Sequence, residues 1–152
     1  MIKNYTSAVP ASRSISYIEH QLVIHGATDI VKRYGPNKEL TEICFAIDTK
    51  GARIPFMLPA RVDRVEKVLM AQVRRPKPGT KQRVKEQAEK TAWKIISDWV
   101  AVQMSLIELG QVEFLEVFLP YVYDMNKQET FFEKMKGNGF LQLTQHGGRG
   151  HE

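Results

Sequence analysis

The chain has 152 residues, of which 43% are hydrophobic and 26% charged, and its formal net charge is +5. These values are close to the averages for soluble globular domains and exclude a wholly disordered chain and a collagen. A single cysteine, Cys44, excludes a disulfide scaffold.

The N-terminal half predicts one helix followed by three strands. Apolar residues recur at intervals of three and four between Ser14 and His25, which is helical spacing. The segments 28–34, 43–47 and 54–58 are β-branched, aromatic or alternating, and short turn sequences separate them. They predict an antiparallel meander, with Pro55 confining the third strand to an edge or a bulge.

The C-terminal half predicts helices. Hydrophobic periodicity indicates a helix over about 62–73, a long helix over about 84–109, a short helix over 112–118 and a further turn or two over 130–135. The prolines and glycine between the first two helices favour a loop there.

Consecutive strands followed by helices are typical of an α+β fold. The fold class predicted here is therefore α+β, with an N-terminal helix, a three-stranded antiparallel meander and a helical C-terminal half that contains one long helix. We expect a single domain over residues 1–136 and a Gly-rich tail over 137–152.

Two tryptophans lie six residues apart on the predicted long helix. Trp99 falls on its apolar face with Ile95 and Ile96, which predicts a core anchor. Trp93 is closer to the basic residues that precede the helix, where it is either a core or interface anchor or a platform that stacks on a base.

Charge is distributed unevenly along the chain. Residues 61–94 contain 11 basic and 4 acidic residues, a balance of +7, whereas residues 98–133 contain 1 basic and 7 acidic residues, a balance of −6. The stretch 74–85 has six basic residues and no acidic one. Basic residues at this density neutralise phosphates, unless the stretch is only a flexible, solvated loop. The candidate nucleic-acid or anion contacts are Arg61, Arg64, Arg74, Arg75, Lys77, Lys81, Arg83 and Lys85.

No metal or nucleophile site is predicted. The histidines are His20, His25, His146 and His151, and with one cysteine they do not form a convergent zinc set. Cys44 alternates with Phe45 in a strand, so we expect an ordinary half-buried thiol.

No catalytic constellation is recognisable either. Glu86 with Glu89, and Glu113 with Glu116, have the spacing that acid–base and di-metal sites use, but they lack a histidine partner, so we expect solvated ion-pair faces. The phosphate-binding and nucleophile-elbow motifs are missing. We therefore predict neither an enzyme nor a cofactor.

Two stretches of the chain have a recognisable sequence pattern. One runs from Glu86 to Val100 (EQAEKTAWKIISDWV) and continues through Gln103-Met104, 107–110 and 117–121. The other is the opening, with 3–6, Val9-Pro10 and 25–27. Together they resemble a family of small uncharacterised proteins of bacteriophages and prophages. The resemblance covers most of residues 1–121 and implies a phage origin and an intracellular site of action, but no reaction.

Four hypotheses follow. The first is a non-enzymatic phage or prophage protein that binds nucleic acid through phosphate contacts. The second is a counter-defence protein that inhibits a host protein or sequesters an anionic nucleotide signal. The third is a structural or assembly factor, and an enzyme is the weakest.

The sequence also bears on location and self-association. The opening residues have no apolar run behind a basic start, and charged residues interrupt the longest apolar stretch, so we expect no signal peptide, no membrane contact and a location in the bacterial cytoplasm. The opposite charge balances, with Val117, Phe118 and Leu119 as an apolar contact, predict a possible homo-oligomer.

Overall fold

The fold consists of one helix, three antiparallel strands and then further helices. The structure is a computed structural model that describes residues 1–145. The predicted α+β class and the order of its main elements are confirmed. The elements are α1 (Ala11–Ile24), β1 (Ala27–Tyr34), β2 (Leu40–Thr49), β3 (Ala52–Pro59), α2 (Val62–Ala71), α3 (Thr80–Glu108), α4 (Phe114–Phe118), a 3₁₀ turn (Leu119–Tyr121), β4 (Tyr123–Asp124), β5 (Glu129–Thr130), α5 (Phe131–Gly137) and a second 3₁₀ turn (Leu141–Leu143).

The long helix begins earlier than the sequence predicts. Helix α3 starts at Thr80, and Gly79 precedes it with a φ of 86°, a left-handed conformation that glycine adopts without steric cost. The prediction of a start near residue 84 was wrong because only Pro76, Pro78 and Gly79 interrupt the helix, and nothing after them does. Half of the basic stretch 74–85 is therefore helical.

The sheet has the order β1-β2-β3, and β3 is an edge strand as Pro55 predicts. Pro55 pairs in register with Ala46 of β2. Within residues 1–145 the other side of β3 makes only an isolated bridge, from Phe56 to Val122. A proline is tolerated there because an edge strand needs hydrogen bonds on one side only.

Aromatic packing joins the inner face of the sheet to α4. Phe45 and Phe56 stack with ring centroids 5.0 Å apart, and Phe114 and Phe118 stack at 4.4 Å. The two pairs meet edge to face, which is a favoured arrangement of aromatic rings. This cluster closes one side of the core.

The core anchor on α3 is Trp93 rather than Trp99. Trp93 is 0% exposed, and its indole N–H donates to the carbonyl oxygen of Leu40 at 3.3 Å. Trp99 lies at the margin of the buried stripe, half-buried against Phe118 and Tyr121. The prediction that Trp99 anchors the core was therefore wrong in degree, and the burial of Trp93 contradicts its alternative role as a stacking platform.

The segment from Tyr123 to Gly137 contains a two-stranded ribbon that the sequence did not predict, because each strand has only two residues. Thr130 caps α5: its Oγ1 accepts from the Glu133 N–H, and Glu133 Oε1 accepts from the Thr130 N–H. Phe140, within the predicted tail, packs 5.7 Å from Phe132. Residues 146–152 of that tail, with His146 and His151, lie outside the described residues.

None of the helices within residues 1–145 has the length and apolar character needed to cross a bilayer.

The difference in burial predicts which of the two tryptophans contributes more to the free energy of unfolding. Replacing Trp93 with Ala is expected to lower the free energy of unfolding by about 3–5 kcal/mol, the usual cost of removing a large buried aromatic side chain. Replacing Trp99 with Ala is expected to cost roughly half as much, because part of its ring already faces solvent. Urea unfolding followed by circular dichroism measures both. A larger cost for Trp99→Ala than for Trp93→Ala would contradict this assignment of the core.

Candidate nucleic-acid interface

The eight predicted basic contacts are solvent-accessible, and all except half-buried Lys85 are exposed. Within residues 1–145 none of the eight forms an ion pair, although Lys3, Lys32, Arg33, Arg53 and Lys94 do. The described side-chain hydrogen bond of this set runs from Arg83 to Thr80 Oγ1, at 3.4 Å. These side chains thus keep their positive charge available to a ligand.

The first turns of α3 concentrate positive charge where a helix tolerates it least. The helix has no acidic residue in its first turn, and Lys81, Arg83 and Lys85 are its second, fourth and sixth residues. The N-terminal end of a helix carries a partial positive charge, so basic side chains there are unfavourable by a few tenths of a kcal/mol each. Lys81 and Lys85 are also like charges at i and i+4. An anion at this end would relieve both effects.

Thr80 ties the preceding loop to the helix. Its buried Oγ1 accepts from the Lys77 N–H at 2.9 Å, and its own N–H donates to the Lys77 carbonyl at 3.0 Å. Residues 77–80 therefore form a hydrogen-bonded turn that leads into the helix.

A cavity of about 500 Å³ lies between the end of α2 and the start of α3. We call it the basic cavity, because three of the predicted contacts, Arg75, Lys77 and Arg83, line it. Arg74 and Lys81 are exposed on the same segment but do not line the cavity. Five of the eight predicted residues are thus gathered near one end of α3.

The N-terminal segment completes the basic cavity with Met1 and Tyr5. Tyr5 is 43% exposed, so a part of its ring is open to contact. Sequence analysis missed Tyr5, because it lies about 70 residues before the basic stretch and no periodicity connects the two.

Helix α3 holds this N-terminal segment through polar side chains. Thr91 Oγ1 donates to the Asn4 carbonyl at 2.8 Å, and Gln87 Nε2 donates to the Ser7 carbonyl at 3.0 Å. Asn4 Nδ2 donates to Asp98 Oδ2 at 2.8 Å. The position of Tyr5 therefore depends on α3.

The remaining predicted contacts lie elsewhere. Arg64 is exposed on α2. Arg61 and Lys85 line a separate cavity of about 410 Å³ that five carboxyl-bearing residues also line: Glu39, Glu42, Asp63, Glu66 and Glu89. We call it the acidic recess. Its net negative charge disfavours a phosphate backbone within the recess itself.

The acidic pairs have structural roles instead of the predicted ion pairs. Glu113 and Glu116 form the capping box that begins α4. Glu86 accepts a hydrogen bond from Gln82 Nε2 at 3.1 Å. The ion pairs expected for these residues are not formed among residues 1–145: three of the carboxylates serve a helix cap or a neighbouring amide, and Glu89 lines the acidic recess.

Cys44 is half-buried, as predicted. Burial raises the pKa of its thiol, and the nearby Arg33 guanidinium only partly offsets that effect. The cysteine is therefore a poor nucleophile at neutral pH.

The two described histidines differ in burial, one being exposed and the other half-buried. His20 is exposed on α1, whereas His25 follows α1 and contacts Glu108, with Nε2 and Oε1 3.1 Å apart. Within residues 1–145 no three histidine, cysteine or acidic side chains group as metal ligands do.

Only part of the apolar contact predicted for self-association is exposed in the fold. Phe118 is fully buried in the core and is not available to a partner, whereas Leu119 is exposed. The prediction of a homo-oligomer remains a prediction.

Comparison of the chain with protein-family models, with curated proteins and with solved structures finds no match.

The anchor of the N-terminal segment predicts a pH dependence. Burial alone would raise the pKa of Asp98, but hydrogen bonds from Lys94 and Asn4 outweigh it and lower this pKa below its ordinary value of 3.8. Because the folded-state pKa lies below the unfolded one, ionised Asp98 stabilises the fold above about pH 4, and this contribution is lost as the pH falls through the folded pKa.

Urea unfolding at pH 7, 5 and 3 measures this contribution. The stability difference between wild type and Asp98→Asn is expected to be the same at pH 7 and 5, and to shrink at pH 3. Glu129→Gln is the control, since Glu129 lies on β5, outside any helix, and has no ion pair or side-chain hydrogen bond among the described residues. A difference that does not change with pH would show that the Asp98 carboxylate does not hold this segment.

Proposed function

We propose that this protein binds nucleic acid through phosphate contacts and catalyses no reaction. The observation that carries the proposal is the gathering of Arg75, Lys77 and Arg83 around one cavity at the N-terminal end of α3, with Arg74 and Lys81 exposed beside them. Basic side chains that pair with no carboxylate in residues 1–145 retain the charge that a phosphate backbone neutralises. On the resemblance described above, the nucleic acid belongs to a bacteriophage or to its host, in the bacterial cytoplasm.

Tyr5 favours a single strand over a duplex. An aromatic ring beside a basic surface stacks on unpaired bases, and a base within a duplex is not accessible to such a ring. The ring of Tyr5 lines the same cavity as the basic side chains and is partly exposed. The basic residues would then contact phosphates while Tyr5 contacts one base, with little dependence on sequence.

The cavity volume supports an alternative of a different class. At about 500 Å³ it is within the range of sites for small ligands, so an anionic nucleotide is the second candidate. This would suit a counter-defence protein that sequesters a nucleotide signal. Inhibition of a host protein or a role in assembly has no specific support in the geometry.

Salt dependence tests the main proposal. If Arg74, Arg75, Lys77, Lys81 and Arg83 each neutralise one phosphate of a single strand, log K falls with log salt with a slope of about −3.5. Raising salt from 50 to 200 mM should then weaken binding roughly 100-fold. Changing Arg74, Arg75, Lys77 and Lys81 together to Ala should reduce the slope to about −0.7. Fluorescence anisotropy with a labelled oligonucleotide measures both.

A second quadruple variant controls for net charge. It changes four exposed basic residues that are remote in sequence from the basic stretch to Ala: Arg13, Lys50, Lys127 and Lys136. This removes an equal number of positive charges. This variant should keep most of the wild-type slope. No binding to any nucleic acid at low salt, or equal slopes for the two variants, would refute the proposal. Tight binding of a mononucleotide or dinucleotide that excludes longer strands would favour the alternative.

A further inference from the structure

A second cavity lies beyond the edge strand β3, between α3 and the segment that follows α4. It has a volume of about 560 Å³, within the range of small-molecule sites. Its walls are mostly apolar and include Met57, Ile95, Ile96, Trp99, Tyr121 and Phe132. We call it the apolar cavity.

The aromatic side chains of the apolar cavity are only partly buried in the core. Trp99 and Tyr121 pack edge to face with their centroids 5.8 Å apart, and both remain partly accessible. Phe132 is 51% exposed. Flat rings that are open on one side supply contact area to an aromatic or aliphatic ligand without a large loss of side-chain entropy.

Two charged side chains, Arg61 and Glu133, line this cavity, and Arg61 is the one with no described side-chain partner. The Glu133 carboxylate accepts from the N–H and from the hydroxyl of Thr130, both at 3.1 Å, so it is held in the cap of α5. Arg61 has no carboxylate of residues 1–145 within 4 Å, although it also borders the acidic recess. Its backbone is left-handed, with a φ of 48°, an uncommon conformation for arginine.

We propose that the apolar cavity binds a small aromatic or aliphatic molecule that carries one carboxylate or sulfonate. The apolar part contacts Trp99, Tyr121 and Phe132, and the acid group pairs with the Arg61 guanidinium, which forms two parallel hydrogen bonds with such groups. This site is distinct from the basic cavity, with which it shares no lining residue. The inference does not rest on nucleic-acid binding.

Two dyes of the same aromatic framework test the proposal. 8-Anilinonaphthalene-1-sulfonate carries the anionic group, and N-phenyl-1-naphthylamine lacks it. The folded protein is expected to bind both saturably at one site, with higher affinity for the sulfonate. Dye fluorescence measures the affinities, and near-ultraviolet circular dichroism shows that the native fold persists.

Three variants assign the dye to the apolar cavity. Arg61→Gln should weaken the sulfonate roughly fivefold or more and leave the neutral dye unchanged, since a partly exposed ion pair contributes at least this much when a hydrogen bond forms within it. Arg64→Gln is the matched control on α2 and should change neither. Phe132→Ala should weaken both dyes.

Three outcomes would overturn the proposal. One is the absence of saturable binding by the wild type. Another is an equal loss of sulfonate affinity in Arg61→Gln and Arg64→Gln. The third is a loss in Lys77→Gln that matches the loss in Arg61→Gln, because the sulfonate would then occupy the basic cavity. The failure of nucleic-acid binding would leave all three measurements unaffected.

Discussion

The burial of Trp93 is the constraint on which the other features of this protein depend. Its indole ring is completely enclosed, and its N–H donates to the Leu40 carbonyl at the start of β2. This fixes α3, which is about 43 Å long at 1.5 Å per residue, against the sheet near the middle of the helix. A tryptophan buried without a hydrogen-bond partner would be costly, so ring and carbonyl together set both the rotation and the height of α3.

The two cavities occupy different parts of that helix. The basic cavity lies at its first turns, where Arg83 and Gln87 face the N-terminal segment. The apolar cavity lies further along, where Ile95, Ile96 and Trp99 face α5 and the preceding 3₁₀ turn. Both depend on the orientation of α3, because Arg83 and Gln87 line one cavity and Ile95, Ile96 and Trp99 line the other.

The charged residues at the start of α3 are unfavourable for the stability of that helix. Helix propensity and capping would favour an acidic residue in the first turn, and the chain places basic ones there. Two other helices follow the ordinary rules, with capping boxes at α4 and α5 built from Glu113 with Glu116 and from Thr130 with Glu133, whereas α1 also has no acidic residue in its first turn.

The sequence by itself determined the α+β class, the order of the main elements and the edge position of β3, because period, turn residues and Pro55 act over a few neighbours. It also determined that residues 74–85 are rich in positive charge. Only the tertiary structure decided that Trp93 and not Trp99 is enclosed, since both lie near the apolar face and the choice depends on what packs there. It also decided that Tyr5 lines the same cavity as Arg75, Lys77 and Arg83. Arg61 lies apart from them and lines the apolar cavity instead. Contacts between residues far apart in the chain are set by how helices pack on a sheet, and no local pattern encodes them.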